Sequence, residues 1–490
     1  MTTTTATRKI DRSIVEGPIG PAVWKVAWPT VLQNVIGGLQ GMIDHALVGH
    51  FVGYAANAAI GVGFQIFLVV MVFISSLFSG MGVLVSRFAG AGDEAGMNRA
   101  ASQAFLLALV LSVGVLAPVG YFAAPWLLSL VNAAPNVEAE ALPFLRIMFV
   151  FGFGMMMFFM LGGALRSAGD AKTPMRLGIA LTIGNITFNV LLIRGYGPFP
   201  EMGTAGAAAG MMISSGLVAL YAIRMLFSGK WVIDFRGMSW KPDWEIIRAL
   251  FRFGLPTGLQ GIAMNVAGVM LLRFIGSTAQ SAEAQAAYAV GYTELFSLVT
   301  WTSVGLMGAA ATVAGQNLGA GYPERSRLAV RHAARIGLGI AITVGVLFVA
   351  IPAQLLGLFG MDDPNVVRIG RTLLAYLSVS GLFITVALTF TGGLQGTGDT
   401  RSPLFITLAS QFALPIGYLT FVQSMRPLQP TDIWLAIVMG HATRCALSVW
   451  RVEQGKWRGG QLWWRGGGGG APAGAEGRGG RCGPGGCAVR

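Results

Sequence analysis

Long apolar stretches follow one another along most of this chain, separated by short turns rich in Gly, Asp, Ser, Thr and Pro. Crossing a bilayer as a helix takes roughly 20 apolar residues, and runs such as Ile66–Leu84 and Ile336–Ile351 approach that length. The pattern predicts about twelve helical spans: 22–48, 56–86, 98–124, 139–167, 174–194 and 204–228, then 246–273, 284–315, 330–357, 366–396, 403–424 and 431–451. The punctuation between them repeats. Residues 165–174 read LRSAGDAKTP and residues 394–403 read LQGTGDTRSP, an offset of 229 that also pairs Gly90-Ala91-Gly92 with Gly319-Ala320-Gly321. An offset of 227 pairs Pro29 with Pro256 and Gly49 with Gly276. A repeat of roughly 200 residues in so apolar a chain marks a transporter built from two bundles. Six spans per half bring both halves in from the same side. The predicted fold is therefore an all-α integral membrane protein with two parallel-repeat six-helix lobes, related by a pseudo-two-fold axis along the membrane normal.

The expected domains are an N-terminal tail (1–21), an N-lobe (22–228), a linker (229–245), a C-lobe (246–457) and a Gly-rich tail (458–490) too poor in apolar residues to fold. The repeated turn has a local account. Gly169 and Gly398 suit a left-handed helix end, while Thr173 and Ser402 suit N-caps ahead of Pro174 and Pro403.

Composition supports the membrane reading, with 54% apolar residues, 11% charged and a mean hydropathy of +0.64. The net charge of +13 does not point to nucleic acid, because the basic residues sit where membrane topology would place them. Arg8, Lys9 and Arg12 precede the first span, Arg224, Lys230, Arg236, Lys241, Arg248 and Arg252 crowd the junction, and Arg325, Arg327, Arg331 and Arg335 follow the second GAG. Residues 50–57 and 125–140 have no Lys or Arg. By the positive-inside rule both termini are cytoplasmic, in a multi-pass protein of the cell membrane, expected to be a bacterial inner membrane. The three cysteines suggest no disulfide scaffold.

Pro29, the Asp44-to-Gly49 end of the first span, GAGD at 90–93, LRSAGDAKTP, GQNLGAG at 315–321 and the ending IWLAIVMGHATRCALSVWRVEQGKW together resemble the multidrug and toxic compound extrusion (MATE) family, over about residues 20–457. The resemblance implies a cofactor-free antiporter that exports small organic cations in exchange for H+ or Na+. A monomer in the lipid bilayer is expected.

Ionisable groups inside spans are candidates for function by default. Helical spacing puts Gln33, Gly37, Gln40 and Asp44 on one face. Asp44 can take up a proton, or hold Na+ with Asn and Thr oxygens as co-ligands, and the family places its N-lobe cation-binding aspartate at this motif. Thr182, Asn185 and Asn189 share a face of the fifth span. Many proton-coupled relatives have Asp where Asn189 stands, so one titratable partner is missing here. The repeat puts Leu271 opposite Asp44, and the C-lobe stripe shrinks to Gln260. That lobe has Glu294 instead, in a GYTELFSL segment resembling the eighth-span acid region of relatives that bind cations in the C-lobe, with Tyr292 and Trp301 nearby. Arg273 is the alternative partner for Glu294. His45 and His441 read as packing residues.

Two rival functions are weighed. A flippase for lipid-linked oligosaccharide, from the same wider superfamily, would have a cationic lumen, whereas Asp44, Glu294 and amides favour a cationic substrate. A membrane enzyme would show clustered His, Asp or Cys, and the chain has four scattered histidines with no HExxH and no GxSxG.

Overall fold

The computed structural model describes residues 10–52, 54–130, 135–361 and 363–459. The tail expected to be unfolded lies outside them apart from Arg458 and Gly459, as does the side chain of His45. The first half contains α1 (Ile19–Phe51), α2 (Tyr54–Ala91), α3 (Glu94–Ser129), α4 (Pro135–Val150 continued by Phe153–Ser167), α5 (Lys172–Arg194) and α6 (Gly203–Ser228). The second contains α7 (Trp244–Gly276), α8 (Ser281–Gly319), α9 (Pro323–Ala350), α10 (Pro364–Gly396), α11 (Arg401–Met425) and α12 (Pro430–Glu453). Among the described residues nine helices are long and apolar enough to cross a membrane, eleven when each of two bent pairs counts as one span. The 33-residue α1 takes its place in the bundle as the twelfth.

Helix starts follow carboxylates. Asp93 accepts from the Gly96 amide, Asp243 from Glu245 and Ile246, and Asp363 from Asn365 and Val366. The helix after the second GAG begins before the expected 330, and it takes in Arg325 and Arg327 as well as Arg331 and Arg335. α9 begins at Pro323, a proline at the first helical position, and Arg331 donates to Glu453 of α12 at 2.7 Å. α4 bends by 53° at Gly152. Three spans contain a wider π turn, at Val110–Leu116, Ala289–Leu295 and Leu408–Ala413, which apolar spacing does not reveal.

Each lobe packs in the same order. α1 lies on α5 as α7 lies on α11, and α2 packs on α4 as α8 packs on α10. Across the interface α1 meets α8 and α2 meets α7, contacts that exchange under the two-fold. α2 and α8 cross at this axis. A Cβ on Gly90 would lie 1.9 Å from the Gln316 carbonyl oxygen, and one on Gly319 would lie 2.2 Å from that of Arg87. The second glycine of each GAG has positive φ, 77° at Gly92 and 83° at Gly321, and ends its helix.

A pair of hydrogen bonds locks this end. Gln316 Nε2 donates to the Ser167 carbonyl at 2.8 Å, and the Arg87 guanidinium donates to the Thr397 carbonyl. Gln316 and Arg87 are themselves one repeat apart. Each lobe therefore reaches the other's GD turn. Within those turns the cap is Asp170 or Asp399, not the hydroxyl residue the sequence suggested. Asp170 accepts from both the amide and the hydroxyl of Thr173, and Asp399 from those of Ser402. The carboxylate is the stronger acceptor and sits one position beyond the left-handed glycine, where it reaches a free amide of the first helical turn.

The lobes part toward the opposite end. Gly37 and Gly41 lie on the side of α1 away from its exposed apolar stripe of Leu32, Leu39 and Ile43, and a Cβ at either would meet no atom within 4 Å. The same holds for Gly268, the repeat equivalent of Gly41. A cleft thus opens between the lobes, closed at the linker end. The linker is fastened to the N-lobe: Ile233 and Phe235 are buried in it, Asn98 accepts from the Asp234 amide, and Gln103 bonds Lys241 and Asp243.

Candidate cation-binding site

The polar stripe of α1 faces α5 along its whole length. Gln33 packs on Gly178, its Cγ 3.2 Å from where a Cβ would stand. One step further out, Thr182 Oγ1 donates to Gln40 Oε1 at 2.8 Å. At the outer end Asn185 Nδ2 donates to Asp44 Oδ1 and Oδ2 at 2.8 and 3.1 Å, and Asn189 Nδ2 donates to Oδ1 at 2.8 Å. Asp44, Asn185 and Asn189 are all buried. The two helices run parallel, so residues three and four apart on one meet residues four and seven apart on the other.

This geometry fixes the amide orientation. An Asn offers donors on one side and a carbonyl oxygen on the other, and the carboxylate draws the donors. Asn185 Oδ1 and Asn189 Oδ1 are left buried without a donor among the described residues. A buried polar atom without a partner is unfavourable unless a ligand or water meets it. The Asn189 oxygen lies against Gly210 of α6, away from Asp44; with the amides turned over, the carboxylate and the two carbonyl oxygens would make an oxygen-rich donor set suited to a hard cation. Asp44, Asn185, Asn189 and, one turn inward, Thr182 are the residues that could supply it.

The C-lobe candidates do not join this group. Gln260 Nε2 donates to Thr407 Oγ1 at 3.0 Å and Gln260 Oε1 accepts from Gln395 at 3.1 Å. Gln260 and Thr407 are the repeat equivalents of Gln33 and Gly178, so the same seam is preserved with a different filling. Tyr292 belongs to an aromatic ladder, stacked on Tyr288 at 4.9 Å and tilted against Phe296 at 5.4 Å. Trp301 reaches across the cleft to α1, its Nε1 3.0 Å from where a Cβ on Gly38 would lie. Glu294 is half-buried in the π turn of α8. Its carboxylate has no partner among the described residues, and Arg273 is exposed. Trp301, seven residues on, is 43% exposed and packs against Gly38 of α1, which turns this face of α8 toward the N-lobe. His441 is buried with Nδ1 on Ser380 Oγ.

Sequence reasoning passed over Arg444, a fully buried arginine in the middle of α12. Its signal was a single basic residue inside the apolar run IWLAIVMGHATRCALSVW. Arg87 and Gln316 were also passed over, although each stands three residues before the repeated GAG.

Comparison with known proteins agrees with this architecture. The MatE family profile matches residues 29–191 and 256–419, one stretch in each lobe. A probable multidrug resistance protein NorM of Thermotoga maritima is 27% identical over 439 residues, covering 88% of this chain and 92% of that protein. The multidrug resistance protein PmpM of Pseudomonas aeruginosa is 25% identical over 85% of this chain and 87% of its own length. A solved outward-facing multidrug resistance MATE family transporter of the MOP superfamily superposes with a TM-score of 0.84 at 20% identity, covering 91% of this chain and 98% of that one. A MOP superfamily transporter from Pyrococcus furiosus, described as having a binding pocket of reverse polarity, gives a TM-score of 0.82 at 21% identity over 90% and 97%.

Proposed function

The chain belongs to the MatE family, and from that premise we propose that it is an efflux antiporter carrying organic cations or drugs out of the cell in exchange for H+ or Na+. It works by alternating access, in a bacterial inner membrane, with both termini and the linker on the cytoplasmic side. Relatives named for multidrug resistance support the efflux reading. The observation that carries it is the buried Asp44 carboxylate at the α1–α5 seam, between two amides whose carbonyl oxygens lack donors.

The residues divide the work. Asp44 takes the coupling ion, with Asn185 and Asn189 donating to the empty carboxylate and turning their carbonyl oxygens toward an ion that replaces those bonds. Thr182 and Gln40 continue the polar path inward, Gln33 and Gln260 mark the inner end of the two seams, and Glu294 with Trp301 and Tyr292 offers a negative, aromatic wall for a cationic substrate. Closure at the α2–α8 crossing keeps the site from opening to both sides at once. The acidic character of Asp44 and Glu294 favours a cation over a lipid-linked oligosaccharide.

The test is export of ethidium from cells lacking their own pumps, across a range of external pH and with or without Na+. Asp44→Asn keeps size and hydrogen bonding but removes the charge. One charge crossing the membrane is worth ~2.3 kcal/mol per 100 mV, so export should fall by about tenfold or more while expression stays normal. A variant that pumps like the wild type at every pH would refute the assignment. The response to Na+ separates the two coupling ions.

A further inference from the structure

Arg444 has charge that the proposed cation cycle does not use. It stands mid-way along α12, 1% exposed. Its Nη1 donates to the Met264 sulfur at 3.6 Å, and its Nε is buried with no acceptor. Among the described residues no oxygen atom accepts from this guanidinium. A thioether is a weak acceptor, and a guanidinium carries five N–H donors. A cation held in a span with one sulfur for company is strongly disfavoured unless something else meets it.

A second donor faces the same place. Gln411 Nε2, on α11, is also buried with no acceptor. It lies 3.3 Å from where a Cβ on Gly440 would stand, one turn before Arg444 on α12. Gln411 lies in one π turn and Tyr292, the electrostatic neighbour of Arg444, in another. Such turns recur at functional sites because they re-aim side chains inside a helix.

The site is at the wall of the cleft. Met264 is 39% exposed, and it is the repeat equivalent of Gly37, which borders the open space on α1. Arg444 sits directly behind it. Met is unbranched and flexible, so rotation of one side chain uncovers the guanidinium. Arg444 Nε and Gln411 Nε2 can only donate, and the unpartnered Ser448 hydroxyl one turn further along α12 can donate as well; a group of unmet donors selects an anion. One guanidinium and one amide balance a single negative charge. The planar fork fits a carboxylate through two parallel bonds, whereas chloride cannot use that geometry.

We propose that Arg444 and Gln411 form a subsite in the C-lobe for the carboxylate of a transported molecule, entered from the cleft past Met264. That a transported molecule brings the carboxylate rests on the efflux reading; the binding itself does not.

The experiment uses the full chain in lipid nanodiscs without any ion gradient, and benzoate as probe. Calorimetric titration should show saturable benzoate binding, with benzamide, its neutral analogue, failing to bind and equimolar chloride failing to compete. Arg444→Met should weaken benzoate by about tenfold or more. Arg444→Lys, which keeps the charge and loses the fork, and Gln411→Leu should each weaken it several-fold. Asp44→Asn should bind benzoate like the wild type, so a failed export assay and a failed carboxylate site give different results. Wild type that binds benzamide as well as benzoate, chloride that displaces benzoate at equal concentration, or Arg444→Met that binds undiminished would each overturn the proposal. If Arg444→Met does not fold, undiminished binding by both Arg444→Lys and Gln411→Leu overturns it.

Discussion

Asp44 shows how far a single residue can be read. Its place on a polar stripe followed from helical spacing alone, as did the shared face of Thr182, Asn185 and Asn189. The pairing of the two faces did not, because it depends on α1 and α5 packing in parallel with a particular register. The absence of a second acid at position 189 also takes on a different meaning in three dimensions. The two amides are donors to one carboxylate, and a second carboxylate there would be a competitor for them. These bonds should be energetically coupled. Asn185→Leu removes both hydrogen bonds that Asn185 Nδ2 gives the buried Asp44, at 2.8 and 3.1 Å, and hydrogen bonds to a charged group contribute about 1.5–3 kcal/mol. In an Asp44→Leu background the same change should cost far less. Thermal unfolding of the two single variants and the double variant measures the difference; additive losses would show that the amides and the acid are independent. Arg444 was harder to see. A lone arginine in an apolar run gives no hint that its neighbours are a sulfur and an amide.

At the scale of elements, the repeated turns were visible as strings and their work was not. The GAG motif reads as a helix end, yet only its second glycine serves that purpose. The first is there because α2 and α8 cross backbone to backbone. Replacing Gly319 by Ala puts a methyl group 2.2 Å from the Arg87 carbonyl oxygen, with no flexible side chain to give way. Overpacking of this kind costs about 1–3 kcal/mol. Gly319→Ala should therefore lower the thermal stability of the purified protein and loosen closure at the linker end. A thermal shift within error of wild type would mean the crossing is not as tight as described. The same logic explains why the capping residue in the GD turn was misread. Asp caps a helix as well as Ser or Thr, and the position just before Pro174 and Pro403 drew the reading to Thr173 and Ser402, whose amides the aspartates hold.

For the molecule as a whole, the offset between repeats carried the architecture: two lobes, one axis, one set of helix pairings written twice. Spacing also showed that the lobes differ in chemistry, with Leu271 opposite Asp44; what it could not show is that the C-lobe seam joins Gln260 to Thr407 and that an arginine is buried nearby. The orientation in the membrane is open to direct test. In a chain without its native cysteines, Ser239→Cys in the linker and Glu201→Cys between α5 and α6 are both exposed and lie at opposite ends of the bundle. A membrane-impermeant maleimide added to intact cells should label position 201 and spare position 239. The reverse pattern would invert the topology.

The fastening of the linker to α3 has a mechanical consequence. Asp243 caps α7, pairs with Arg99 through its carboxylate and donates its backbone amide to Gln103 Oε1, so the residue that opens α7 is pinned to the first lobe. The linker is moored to that lobe at Asp234, Phe235 and Lys241 as well, so it travels with the first lobe when the two rock about the α2–α8 crossing. The chain passes from one moving body to the other at a single aspartate.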